Sequence, residues 1–224
     1  MKYDIIAENF PMLVCELNEG ESVITQRGGM SWRHPDIKME TSTIGGVKQG
    51  LRRTLSGNNF FLNRYTATGE AQEIAFGLTF PGSIKVWDVS DGNDIIVQKN
   101  AFIAATQNVN IDVTFNRRLG ATLLSGEGFV LERFSGTGIV FIEIDGKMQE
   151  FDLAEGEKLV VDNGLLAAME PTVDFSVEAV KGLKNVMFGG EGLFVNTLTG
   201  PGKVWLQTLP VTGLARMLAP TTTS

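Results

Sequence analysis

The chain has 224 residues, 43% hydrophobic and 20% charged, a balance that can bury a sizeable core and lies outside the disordered class. Its formal net charge of −7, from 19 basic and 26 acidic residues, repels a phosphate backbone and argues against nucleic acid as a partner. A single cysteine, Cys15, excludes an internal disulfide framework; no apolar run reaches membrane-span length and Met1-Lys2-Tyr3-Asp4 leads into no apolar signal segment, so the expected location is cytoplasmic.

From the N-terminus, Cys15 and Leu17 flank Glu16 in the period-2 alternation of a half-buried strand. The acidic turn Asn18-Glu19-Gly20 supplies the glycine that a left-handed turn position needs, and Val23-Ile24 begins the return strand. Ile37, Met39 and Thr41 share one side of a further strand. Between Gly46 and Gly57, the spacing of Val47, Leu51 and Leu55 predicts a short amphipathic helix. Leu-Ser-Gly-Asn-Asn-Phe-Phe at 55–61 then leads through Leu62 to a second glycine turn at Gly69.

The same series returns. Trp87, Asp88 and Val89 precede Ser90-Asp91-Gly92; Ile95-Ile96-Val97 follows, then Val109, Ile111 and Val113, then Leu-Ser-Gly-Glu-Gly-Phe-Val at 124–130 and a turn at Gly138 before Ile139-Val140-Phe141-Ile142. It returns again as Phe151, Asp152 and Leu153, Ala154-Glu155-Gly156, Leu159-Val160-Val161, and Val173, Phe175 and Val177, with Gly-Gly-Glu-Gly-Leu-Phe at 189–194, Gly202 and Val204-Trp205-Leu206. Gly92 to Gly126 and Gly156 to Gly190 span 34 positions each, and the first copy is longer by three, which the predicted helix absorbs. Fixed-period self-similarity predicts an all-β fold of three tandem repeats, 12–77, 84–145 and 148–209, in a single domain 1–224. Copies this short do not easily close a core alone, so the reading packs them around a pseudo-threefold axis, or otherwise face to face, with at most one or two short helices. The second helix is a turn at Leu214-Ala215-Arg216-Met217-Leu218, and the remainder of 210–224 reads as a frayed tail.

Gly45-Gly46-Val47 with Gly50-Leu51, the Leu-Ser-Gly motif into Phe60-Phe61, Leu124-Ser125-Gly126-Glu127-Gly128 into Phe129, and Gly189-Gly190-Glu191-Gly192-Leu193 together resemble a mostly bacterial family of uncharacterised proteins. That family is related to the yeast altered-inheritance-of-mitochondria protein of the mitochondrial inner membrane. The resemblance covers nearly the whole chain. It implies a double-stranded β-helix or attenuation-protein-like fold of three units, each similar to a subunit of the tryptophan RNA-binding attenuation protein, and it implies no reaction. Tryptophan and RNA do not carry over on fold alone, because function belongs to sites. Trp32-Arg33-His34-Pro35 departs from the family pattern, in which smaller residues precede the proline.

The copies also filter the candidates for chemistry. Cys15 occupies a slot held elsewhere by Trp87 and Phe151, which reads as core. His34 is the only histidine, and a cupin-type metal site needs several converging imidazoles; its counterparts in the repeats read as Thr106 and Met169. Ser56 and Ser125 recur, but the third copy has Gly189 there, so turn chemistry outranks a nucleophile. Glu127 and Glu191 are the only recurring carboxylates in the motif, replaced by Asn58 in copy one, and an enzyme built on them is the weakest reading. No catalytic residue, metal or cofactor is expected.

One repeated chemical feature remains. Lys48, Arg52 and Arg53, then Arg117 and Arg118, then Lys181 and Lys184 precede the shared motif in the three copies. They read first as solvated edge charge and second as a cationic patch for anions or an acidic membrane surface. The leading expectation is a non-enzymatic β-scaffold acting as a structural or protein-interaction module, its partner an unidentified protein or itself.

Overall fold

The computed structural model describes residues 1–8, 10–26, 28–43, 61–117, 129–162, 164–179 and 194–209. The predicted helices at 47–55 and 214–218 lie outside them. The strands are β1 (Lys2–Ile6), β2 (Met12–Leu17), β3 (Ser22–Gln26), β4 (Met30–Arg33), β5 (Lys38–Thr43), β6 (Phe61–Thr66), β7 (Gln72–Gly77), β8 (Gly82–Asp88), β9 (Ile95–Gln98) and β10 (Phe102–Thr106). They continue as β11 (Val109–Arg117), β12 (Phe129–Gly136), β13 (Ile139–Asp145), β14 (Met148–Leu153), β15 (Lys158–Asp162), β16 (Leu166–Met169), β17 (Asp174–Ala179), β18 (Phe194–Thr199) and β19 (Gly202–Gln207). The fold is all-β: the helical content of the described residues is two single 3₁₀ turns, at Ser90–Gly92 and Lys99–Ala101.

Alternation accounts for the outer strands. In β2, Leu13, Cys15 and Leu17 are buried while Met12, Val14 and Glu16 are half-buried, as expected of a sheet with one covered face. Glycine resolves the reversals: Gly20, Gly92 and Gly156 adopt φ of +82°, +80° and +76°, the left-handed region read from their turns. The second set of turns departs from the sequence reading. Gly138 and Gly202 hold φ of +144° and +136°, and a Cβ there would collide with Thr106 Oγ1 and Thr172 Oγ1. Gly69 is not their counterpart, because the register puts Gln72 opposite Leu17 as Gly202 stands opposite Leu153.

The strands form four antiparallel sheets among the described residues, in the orders β1-β2-β7-β4, β5-β6-β3-β10-β13-β8, β11-β12-β9-β16-β19-β14 and β15-β18-β17. The second six-stranded order is the first with each strand number raised by six. Three apolar clusters lie between successive sheets. Leu13, Cys15, Leu17, Ile74 and Phe76 of the four-stranded sheet meet Val23, Tyr65, Ala104 and Phe141 of the first six-stranded sheet. Ile24, Ala105, Val140 and Ile142 join Val97, Phe134, Ala168 and Trp205 across the two six-stranded sheets. Ile96, Leu131, Leu166 and Val204 meet Val161 and Leu198 of the last sheet.

The inner strands of the two six-stranded sheets are covered on both faces and bury consecutive residues, as β13 does from Val140 to Asp145 and β10 and β16 do. Each fully buried Leu, Ile or Phe contributes about 1.5–3 kcal/mol, so the stack as a whole carries the stability.

Candidate functional site

Cys15 sits at the centre of β2 opposite Ile74, with no exposed surface. Burial pushes its thiol up to about 12, which leaves no thiolate to act as a nucleophile at neutral pH. His34 follows β4 in an exposed turn, where its Nδ1 accepts a hydrogen bond from the Asp36 amide at 3.3 Å and its own amide donates to the Glu73 carbonyl at 2.8 Å. The pairing does not match it with Met169: Arg33 faces Ile74 as Met169 faces Val204, so the residue that follows β16 as His34 follows β4 is Glu170. The Glu170 amide likewise donates to the Lys203 carbonyl, at 2.9 Å. No group of three His, Cys, Asp or Glu side chains among the described residues is placed to hold a metal.

Ser56, Ser125, Glu127, Gly189 and Glu191 lie outside the described residues, as do Lys48, Arg52, Arg53, Arg118, Lys181 and Lys184. Arg117 is described only through its backbone, which closes β11 against Phe129 of β12. The corresponding closures of the other two hairpins are Thr43 against Phe61 and Ala179 against Phe194. Each basic segment therefore joins the two strands of one of three matching hairpins. No helix among the described residues is long and apolar enough to cross a membrane.

Two features absent from the sequence reading stand out. The first is a set of buried polar groups at one cross-strand position. Asn63 faces Thr25, Glu132 faces Val97 and Asn196 faces Val161, and all three are buried. Asn63 Oδ1 accepts from Thr41 Oγ1 at 2.9 Å. Glu132 Oε2 accepts from Gln26 Nε2 of the neighbouring sheet at 3.2 Å, while Glu132 Oε1 and both polar atoms of the Asn196 amide have no protein partner. Burial raises the Glu132 carboxyl to about 7, against the opposing pull of Lys99 and Gln26.

Beside these, a carboxylate pair, Glu143 and Asp145, ends β13. Glu143 Oε1 accepts from the amides of Thr79 and Phe80 at 2.7 and 3.1 Å and so anchors the chain entering β8. Burial raises both carboxyls, and the neighbouring Glu143 charge helps to bring Asp145 to about 7. With one Glu143 oxygen committed to two backbone amides and the pair buried, it reads as an anchor rather than an acid–base couple.

The second feature concerns two of the eight strands that end these sheets, β4 and β15. β4 pairs with β7 on one side only, and β15 with β18 on one side only, among the described residues. β4 presents Trp32, 42% exposed, and Arg33 Nη1 fixes the strand's exit by donating to the carbonyls of His34, Pro35 and Ile37 at 3.0, 3.0 and 2.6 Å. β15 presents Val160, 60% exposed. Inside the stack the same kinds of edge are joined: β3 pairs with β10 and β9 with β16.

Comparison with known proteins agrees with this architecture. A family model described as mitochondrial biogenesis AIM24 matches residues 3–209. An uncharacterised protein of Streptococcus pyogenes serotype M6 is 24% identical over 210 residues, covering 89% of this chain and 82% of its own length. A crystal structure of a Streptococcus pyogenes protein, determined by structural genomics, superposes with a TM-score of 0.79 at 22% identity over 97% of both chains, a likeness of fold.

Proposed function

This chain belongs to the AIM24 family, and from that premise we propose that it is a non-enzymatic β-scaffold, a structural or protein-interaction module that works through its sheet edges. The observation that carries the reading is that, among the described residues, β4 and β15 each lack the neighbour that joins β3 to β10 and β9 to β16. An unpaired edge offers a row of backbone donors and acceptors, and proteins with no use for one cover it or blunt it with charge. Here each edge shows an exposed apolar side chain, Trp32 in β4 and, between exposed Lys158 and Asp162, Val160 in β15.

The reading includes three equivalent units, 12–77, 84–145 and 148–209. The six-strand offset in sheet order supports it, as does the register that sets Cys15 opposite Ile74, Trp87 opposite Val140 and Phe151 opposite Val204. On this reading β5-β6-β3 of the first unit joins β10-β13-β8 of the second, and β11-β12-β9 of the second joins β16-β19-β14 of the third. A closed pseudo-threefold ring would need one more junction, β15 with β4. The units are therefore read as a series sharing two sheets.

Hydrogen exchange tests this. At a dilution where light scattering gives the mass of one chain, the amides of β4 and β15 on the side away from β7 and β18 are expected to exchange far faster than their counterparts in β10 and β9. Equal protection in the monomer would mean that the edges are already paired within the chain, and the reading would fail.

A second reading has its own observation, the attachment of the basic segments to three matching hairpins. It makes these segments a binding site for acidic headgroups or other anions, despite the net charge of −7. Co-sedimentation with phosphatidylserine vesicles is expected to fall several-fold for Arg52→Glu combined with Arg117→Glu, and unchanged binding would remove this reading.

A further inference from the structure

We infer that the two open edges are halves of one interface, and that β15 of one copy of this chain adds to β4 of a second copy. The inference rests on the three-unit reading above and gives its interaction surface an occupant.

The chain builds this junction twice within itself. In the first, β3 meets β10 with Ile24 opposite Ala105 and Thr25 opposite Ala104. In the second, β9 meets β16 with Ile96 opposite Met169 and Val97 opposite Ala168. Counted from the turn glycines Gly20, Gly92 and Gly156, Ile24, Ile96 and Val160 stand at one position. Counted from the β7, β13 and β19 residues that face Cys15, Trp87 and Phe151, Arg33, Ala105 and Met169 stand at one position. The third junction would therefore be antiparallel, with Val160 opposite Arg33 and Val161 opposite Trp32. It would complete β17-β18-β15-β4-β7-β2-β1, the order of the two six-stranded sheets with β1 added at one end.

Burial supports the same conclusion. Ile24 is 6% and Ile96 8% exposed because the next unit covers them, whereas Val160 is 60% exposed. On the partner side, Ala104, Ala105, Ala168 and Met169 are buried in their junctions, and Trp32 at the same position stands open. A β-branched residue opposite tryptophan is a favourable cross-strand pair. The two edges differ, so the contact is heterologous: it forms a ring if the rotation closes and an open fibre if it does not.

Light scattering on the full chain is expected to give masses above the 24.3 kDa of one chain, rising with concentration. Val160→Asp should return the protein to one-chain mass with an unchanged circular dichroism spectrum, because this side chain is already exposed in the monomer. A second measurement tests the register. Val160→Cys and Arg33→Cys, each inert alone under mild oxidation, should form a one-to-one disulfide-linked pair when mixed, with the buried Cys15 silent.

A one-chain mass at every concentration, with both edges exchanging freely, would overturn the inference and leave the three-unit reading standing. Assembly that survives Val160→Asp, with no cross-link in the mixture, would also overturn it, since another surface would then be responsible. Edges protected within a monomer would instead defeat the underlying reading.

Discussion

Phe134→Ala is expected to destabilise the fold by about 3–5 kcal/mol, a cost set by the lost transfer energy of the ring and the cavity left behind. Phe134 lies in β12, fully buried, with its ring centroid 4.8 Å from that of Phe102. It belongs to the cluster between the two six-stranded sheets, where both faces are covered and neighbouring strands cannot move to close a gap without disturbing their own ladders. For a chain of this length each kcal/mol lowers Tm by about 2–4 °C, so a fall of roughly 6–20 °C should be seen in calorimetry. Phe10→Ala provides the contrast, since Phe10 is exposed and its loss should change stability by no more than about 0.5 kcal/mol. Equal shifts for the two variants would show that the central cluster does not hold the sheets together.

The second large effect is a stability that falls as pH rises from 5 to 8. Glu132 and Asp145 titrate near 7 in the folded chain, and burial also raises Glu143. In the unfolded chain these carboxyls lose their protons near 4, so between about pH 4 and 7 the folded state holds more protons than the unfolded one. The sign follows: stability is fully present below the unfolded values and is lost as pH rises through the folded values. For Glu132 the loss is of order 3 kcal/mol at pH 8.

Glu132→Gln keeps the shape and removes the charge. It is expected to match the parent at pH 5, exceed it at pH 8, and flatten the slope of urea-unfolding free energy between them. Glu21, Asp88 and Glu150 do not mask this, because hydrogen bonds hold their carboxyls below the usual range and their contribution is lost only in acid. An unchanged slope in Glu132→Gln would mean that Glu132 is ionised at no cost in the folded chain.

The contrast between Cys15 and Glu132 marks how far the sequence could be read. Cys15 was legible as core because Trp87 and Phe151 recur at its position, and the ladder sets each opposite an aliphatic residue of the neighbouring strand. Glu132 was not, because Leu131-Glu132-Arg133 in a strand with one wet face would put glutamate in water, whereas β12 is covered on both sides. Asn63 and Asn196, which like Glu132 are buried polar residues facing β3, β9 or β15 positions, were the signal the sequence held. The basic segments stay at the level of sequence, beyond the described residues.

By itself the sequence determined what depends on neighbours along the chain: the alternation that makes strands, the glycines that reverse them and the inert place of Cys15. Only the tertiary structure decided what depends on pairing between distant segments. The joining of β3 to β10 and of β9 to β16 brings together residues about 80 and 70 positions apart, and no local pattern encodes which edge meets which. The same long-range pairing buries Glu132 and, among the described residues, leaves β4 and β15 with one neighbour each, because a strand's edge is satisfied or exposed according to its neighbour in space.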